Sequence, residues 1–102
     1  MLGFIKRLLG NGTDYCTLIK SGATILDVRS NGEYASGHVQ GAINIPLDEL
    51  PKSLDKLQKD RPVIACCASG MRSATAKALL KAKGFEVYNG GSWLRVNGKV
   101  LR

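Results

Sequence analysis

Residues 62–67, Pro-Val-Ile-Ala-Cys-Cys, form a run with no polar alternation. A strand of this kind is covered on both faces, as interior strands of parallel sheets are. Parallel neighbours cannot be joined by a hairpin, so a chain with such a strand needs helical crossovers between its strands. That single requirement narrows the architecture before any other residue is read.

The rest of the chain supplies the crossovers. Residues 24–29 (TILDVR) are β-branched and aliphatic and read as a buried strand. Residues 31–38 read as a turn plus a short helix, and 42–46 (AINIP) as a second strand. Apolar residues at 47, 50, 54 and 57 predict a helix that breaks or restarts at Pro51. Residues 62–67 are the third strand. Residues 73–83 read as a helix with Gly84 just past its end, and 85–89 (FEVYN) as the fourth strand. The remaining residues, 90–102, read as a turn and a short basic tail. Before the first strand, Thr13 or Asp14 caps a short helix, Tyr15–Lys20, that stops at Gly22. Alternating strands and helices imply an α/β domain over 13–102, its central, mainly parallel sheet flanked by helices on both faces.

Residues 1–12 stand apart as a short amphipathic segment. Leu2, Ile5, Leu8 and Leu9 share one helical face, and Lys6 and Arg7 another. So short a helix is marginal alone, and packing on the domain is expected rather than contact with a membrane. No run of 18 apolar residues predicts a transmembrane helix, and the first residues do not form a signal-peptide pattern. Three cysteines, two of them adjacent, disfavour a disulfide framework and predict a reducing, cytoplasmic setting. One histidine with these cysteine spacings predicts no metal site, and no cofactor motif is present. The net charge of +7 favours anionic ligands. No nucleic-acid-binding motif accompanies it, so a small anionic substrate is expected instead.

The chemistry concentrates at 66–73, CCASGMRS. A cysteine at the end of a buried strand, followed by a tight loop into a helix, faces free backbone amides and the positive end of the helix dipole. These lower a thiol's pKa and produce the nucleophilic thiolate. Strand alternation turns Cys66 and Cys67 to opposite faces. Cys67, which opens into the loop, is the expected nucleophile. Cys66 and Cys16 are expected to be packing residues. Gly70 allows the turn, and Arg72 either holds the loop or clasps an anion.

Several motifs in order resemble the rhodanese domain, a sulfurtransferase family. They are Asp27-Val28-Arg29, Glu33-Tyr34, Gly37-His38, the run 41–46 (GAINIP), the loop 67–73, and Gly84-Phe85 with Val87-Tyr88 and the glycine pair 90–91. Together they cover about residues 13–95. The resemblance implies a rhodanese-like fold and a thiosulfate:cyanide sulfurtransferase. Cys67 would take a sulfane sulfur from thiosulfate or another persulfide donor and pass it to a thiol or cyanide. Ala68, Ser69, Gly70, Met71 and Arg72, with Ser73, would cradle the outer sulfur, and Arg72 would position an anionic donor. A protein persulfide is a further partner the resemblance allows. Phosphatase or arsenate reductase activity is a minor alternative, since phosphatases of similar fold use a loop one residue longer, which suits a phosphate better than a single sulfur. They also place a histidine where Cys66 stands.

The supporting residues have plainer readings. Asp27, at the strand end, tunes the loop or, on balance, serves structure by bonding a backbone amide. Arg29 is expected to pair with a carboxylate, with Glu33, four residues on, as the expected partner. His38 reads as a turn residue rather than a general base, and Trp93 as a core or lid aromatic. The short tail after Trp93 departs from the family's fuller final helix and implies a less covered face, or one covered by a partner. Apolar Ala68 and Met71 suit a protein or small-molecule persulfide as well as thiosulfate. A sulfur-relay carrier and a non-catalytic binding module are the competing functions.

Overall fold

The computed structural model describes residues 14–101. The amphipathic segment 1–12 lies outside them. Four strands form one sheet: β1 Thr24–Asp27, β2 Ile43–Asn44, β3 Val63–Cys67 and β4 Val87–Ser92. Their spatial order is β2-β1-β3-β4, and every pairing is parallel. The apolar run thus occupies an interior strand, and all five residues of β3 are buried.

Each face of the sheet carries its own core. On one, Leu26, Val28, Ala65 and Cys67 meet Ala76 and Leu80 of the helix α3, Met71–Ala82, together with Leu50 and Leu57. On the other, Ile25, Ile64, Cys66 and Tyr88 meet Leu18 of α1, Tyr15–Lys20, and Val96 of α4, Trp93–Val100. A fourth helix, α2 Asn31–Ala35, starts on Ser30 with a capping box completed by Glu33. α3 stops in a Schellman turn. The Phe85 amide reaches Leu80 O at 3.0 Å and the Gly84 amide reaches Lys81 O at 3.1 Å, with Gly84 at φ 94°.

Three expectations from sequence change. The stretch 47–58 is not an α-helix but two 3-10 turns, Leu47–Lys52 and Leu54–Lys56. Pro51 interrupts it, and apolar pairs three residues apart serve a 3-10 turn as well as an α-turn. The glycine pair is not a turn: β4 runs through Gly90 and Gly91, with a register shift opposite Ala65 and Cys66. The chain after it is not a tail but α4, whose N-cap Ser92 accepts from the Arg95 amide. Asn97 and Gly98 give α4 poor intrinsic propensity. Its buried stripe holds it, and Gly90 makes room for that stripe: a Cβ there would stand 2.7 Å from Val96 Cγ2. The second face is therefore covered by this chain's own helix.

Candidate active site

The loop after β3 closes over the Cys67 sulfur. Gly70, at φ 103°, turns the chain into α3 and donates its amide to Cys67 Sγ at 3.0 Å. No other residue fits easily there: a Cβ on Gly70 would approach Gly91 Cα to 3.3 Å. Ser73, one turn into α3, brings its Oγ to 3.5 Å from the sulfur. Ala68, Ser69 and Met71 are exposed, Met71 to 79 %. Cys67 itself is buried, at 0 % exposure.

The two adjacent cysteines differ electrostatically as well as in direction. Burial pushes the Cys66 thiol up to about 12, and the Asp27 charge adds to that. Burial also works against ionisation of Cys67. There it is outweighed by the Ser73 hydroxyl, where its hydrogen faces the sulfur, and by the amides of Ser73, Gly70 and Ser69, so that thiol lies below its ordinary value. A thiol lowered in this way at a helix N-terminus can act as a nucleophile.

Arg72 is held by a carboxylate. Its guanidinium meets the Glu33 carboxylate fork to fork, at 2.7 Å and 3.0 Å. The same Glu33 Oε1 accepts from the Ser30 amide at 2.9 Å, so the capping box of α2 aims the carboxylate. The Arg72 guanidinium, followed by the Ser30 amide, holds the Glu33 carboxyl down at about 2. A hollow of about 360 Å3 opens beside the pair, lined by Val28, Ser30, Pro46, Leu47, Asp48 and Arg72.

The expected Arg29–Glu33 pair does not form. Arg29 binds Asp27 instead, with Nε 3.0 Å from both oxygens and Nη2 2.8 Å from Oδ2. Asp27 Oδ1 also accepts the Arg29 amide at 3.0 Å. Both residues are buried, where a charge must find its partner at short range. Arg29 Nη2 continues to Gly37 O at 2.6 Å, and the guanidinium lies 4.8 Å from the Trp93 ring centroid. Asp27 and Arg29 thus brace the strand ends beneath the loop and make no hydrogen bond to Cys67. His38 stacks on Tyr34, ring centroids 3.8 Å apart, with Nδ1 2.8 Å from Tyr34 O. It makes no hydrogen bond to Cys67.

One residue of the site was not singled out from sequence. Asn89 on β4 accepts from Ser73 Oγ at 2.6 Å and from the Gly91 amide at 3.0 Å, and donates to Gly70 O at 3.1 Å. Tyr15 Oη donates to its main-chain oxygen at 2.9 Å. The available signal was an asparagine inside a strand run, where that residue is uncommon. Among the described residues no cluster of three or more His, Cys, Asp or Glu could hold a metal ion. Nor is any helix among them long and apolar enough to cross a membrane.

Comparison with known proteins gives the arrangement its family. The family model of the Rhodanese-like domain matches residues 13–93. The uncharacterized protein YqhL of Bacillus subtilis (strain 168) is 36 % identical over 80 residues, which is 76 % of this chain and 64 % of that protein. The putative sulfurtransferase YtwF of the same organism is 34 % identical over 65 residues, 64 % of this chain and 63 % of that protein. The chain therefore spans less than two thirds of the length of either relative. A solved rhodanese with anions from E. coli superposes with a TM-score of 0.68 at 35 % identity, covering 72 % of this chain and 91 % of that one. The chain belongs to the rhodanese-like domain family, and its sheet and helices have the rhodanese-like fold.

Proposed function

We propose that this rhodanese-like domain is a sulfurtransferase that carries a sulfane sulfur as a persulfide on Cys67. The observation that carries the reading is the Gly70 amide 3.0 Å from Cys67 Sγ, at the N-terminus of α3. A thiolate there attacks the outer sulfur of thiosulfate. The S–S bond of the donor breaks, its electron pair leaves on sulfite, and Cys67 keeps the sulfur as Cys–S–S⁻. An acceptor thiolate or cyanide then attacks that outer sulfur, and the bonding pair returns to Cys67 as thiolate. No outside oxidant or reductant enters, and the two half-reactions follow a ping-pong course. The amides of the loop stabilise the negative outer sulfur at short range.

The donor class includes small persulfides and protein persulfides as well as thiosulfate. Exposed Met71 and the apolar walls of the hollow, Val28, Pro46 and Leu47, suit a thiol-bearing donor. The three free cysteines, Cys16, Cys66 and Cys67, fit a reducing compartment, and we place the protein in the cytoplasm. Two features argue against phosphoryl transfer: the short loop and an Arg72 already held by Glu33.

Intact mass after incubation with thiosulfate tests the proposal. Wild type should gain one sulfur atom that cyanide removes, and Cys67→Ser should gain none. A mutant that still gains the sulfur would move the chemistry to another cysteine. A wild type that gains none from thiosulfate or from a small persulfide would remove the sulfurtransferase reading.

A further inference from the structure

The Ser73 hydroxyl has one hydrogen and two neighbours able to accept it. Asn89 Oδ1 is 2.6 Å away and Cys67 Sγ is 3.5 Å away. The orientation of the Asn89 amide follows from its other bonds. Its Nδ2 must face Gly70 O, an acceptor, and its Oδ1 must face the Gly91 amide, a donor. An amide oxygen only accepts, so the hydrogen between Ser73 and Asn89 belongs to Ser73. Ser73 then shows the sulfur lone pairs alone. In that orientation it receives a hydrogen bond from a Cys67 thiol and gives none to a thiolate.

We propose that Asn89 is a positioning residue that keeps the Ser73 hydroxyl hydrogen turned away from Cys67, leaving the sulfur to the backbone amides. Ser73's help to the thiolate exists only when its hydroxyl turns from Asn89 to sulfur. Withholding that donor has a chemical use. A thiolate's nucleophilicity falls as it becomes less basic, with a Brønsted coefficient of about 0.4–0.5. Amides that lower the thiol serve ionisation, and once the sulfur is ionised a further hydroxyl bond would only blunt its attack. Asn89 has a second and opposite influence through its bond to Gly70 O, because Gly70 presents the amide that supports the thiolate.

The charged groups around the sulfur stay constant in the test. They are Arg72 at the start of α3 with Glu33 of α2 on it, Asp27 at the end of β1 and Arg29 just beyond it; Cys66 on β3 is neutral. Asn89, Gly91 and Ser92 on β4 carry no charge. This inference concerns the attacking thiolate of the reaction proposed above and rests on that reading for its use. Its measurement needs no sulfur donor, so the two fail separately.

The experiment is the pH dependence of iodoacetamide alkylation at Cys67, in a Cys16→Ala background with the site read by peptide mass. Asn89→Ala, Ser73→Ala and the double variant are compared. Asn89→Ala is expected to shift the Cys67 midpoint down by roughly half a unit to one unit, since Ser73 is then free to donate. In the Ser73→Ala background the same change should not lower the midpoint. Asn89→Ala raising the midpoint equally in both backgrounds would show that it acts only by tethering Gly70, and would overturn the proposal. No shift in either background would overturn it too. If Asn89→Ala does not fold, Ser73→Ala alone decides. An unchanged or slightly lower midpoint supports the proposal, and a rise of about one unit, the cost of a lost donor, defeats it.

Discussion

Arg72 and Glu33, 39 residues apart in the chain, meet in a two-bond ion pair at the rim of the Cys67 loop. The pair is 38 % exposed on both sides, so its worth lies less in stability than in where it holds the guanidinium. The helix that starts at the loop and the helix that follows β1 are tied together by it. Arg72, which the sequence leaves between holding the loop and clasping an anion, is thereby occupied by Glu33.

Glu33→Gln should therefore release Arg72 while keeping the capping box, which glutamine also completes. The KM for thiosulfate is expected to fall several-fold, with a smaller effect for an uncharged-tail persulfide. The carboxyl of Glu33 is depressed, so its contribution is present above the ordinary value of 4.5 and is lost as pH falls toward about 2. Kinetics at neutral pH thus see the pair closed, and the substitution is the way to open it. An unchanged KM would mean that Arg72 plays no part in donor binding.

The Cys67 thiol is lowered by folding, so its thiolate is favoured in the folded chain. That contribution is fully present above the ordinary thiol value of 9.0 and is lost as pH falls through the folded value. Alkylation of Cys67 should show a lower midpoint in native protein than in urea. Cys66, pushed up to about 12, should resist alkylation until the protein unfolds. A native Cys67 midpoint at or above that of the unfolded chain would contradict the geometry.

Asp27→Ala should be among the most damaging substitutions. It strands the buried Arg29 guanidinium, at a cost of about 3–5 kcal/mol in urea unfolding. Replacing both partners, Asp27→Leu with Arg29→Met, should cost less than the single change, because no buried charge is left alone. If the double variant is as unstable as the sum of the singles, the pair is not what makes these residues necessary.

Two glycines should respond in opposite directions. Gly90→Ala places a Cβ 2.7 Å from Val96 Cγ2 and 2.9 Å from Ile64 Cγ2. Overpacking of that kind costs about 1–3 kcal/mol. Gly32, in α2, meets nothing within 4 Å, and Gly32→Ala should add about 0.5–1 kcal/mol through helix propensity. Thermal melts of the two variants, shifted down and up, check the packing of α4 on β4 independently of any activity.

The sequence by itself determined the alternation of strands and helices as far as the fourth strand, the parallel sheet and the loop that closes on Cys67. These are local or periodic properties: an unbroken apolar strand, a positive-φ glycine before a helix, and strand alternation that parts two neighbouring cysteines. Only the tertiary structure decided the partners. Arg29 took Asp27, two residues before it, rather than Glu33, four residues after it, because Asp27 is buried with it at the strand end while the Glu33 side chain is 38 % exposed. Glu33 went to Arg72, and Asn89 went to Ser73, across separations no periodicity encodes. The final helix also lay beyond local reading. Its residues favour helix weakly, and it exists because Gly90 leaves room on β4 for Val96 to be buried.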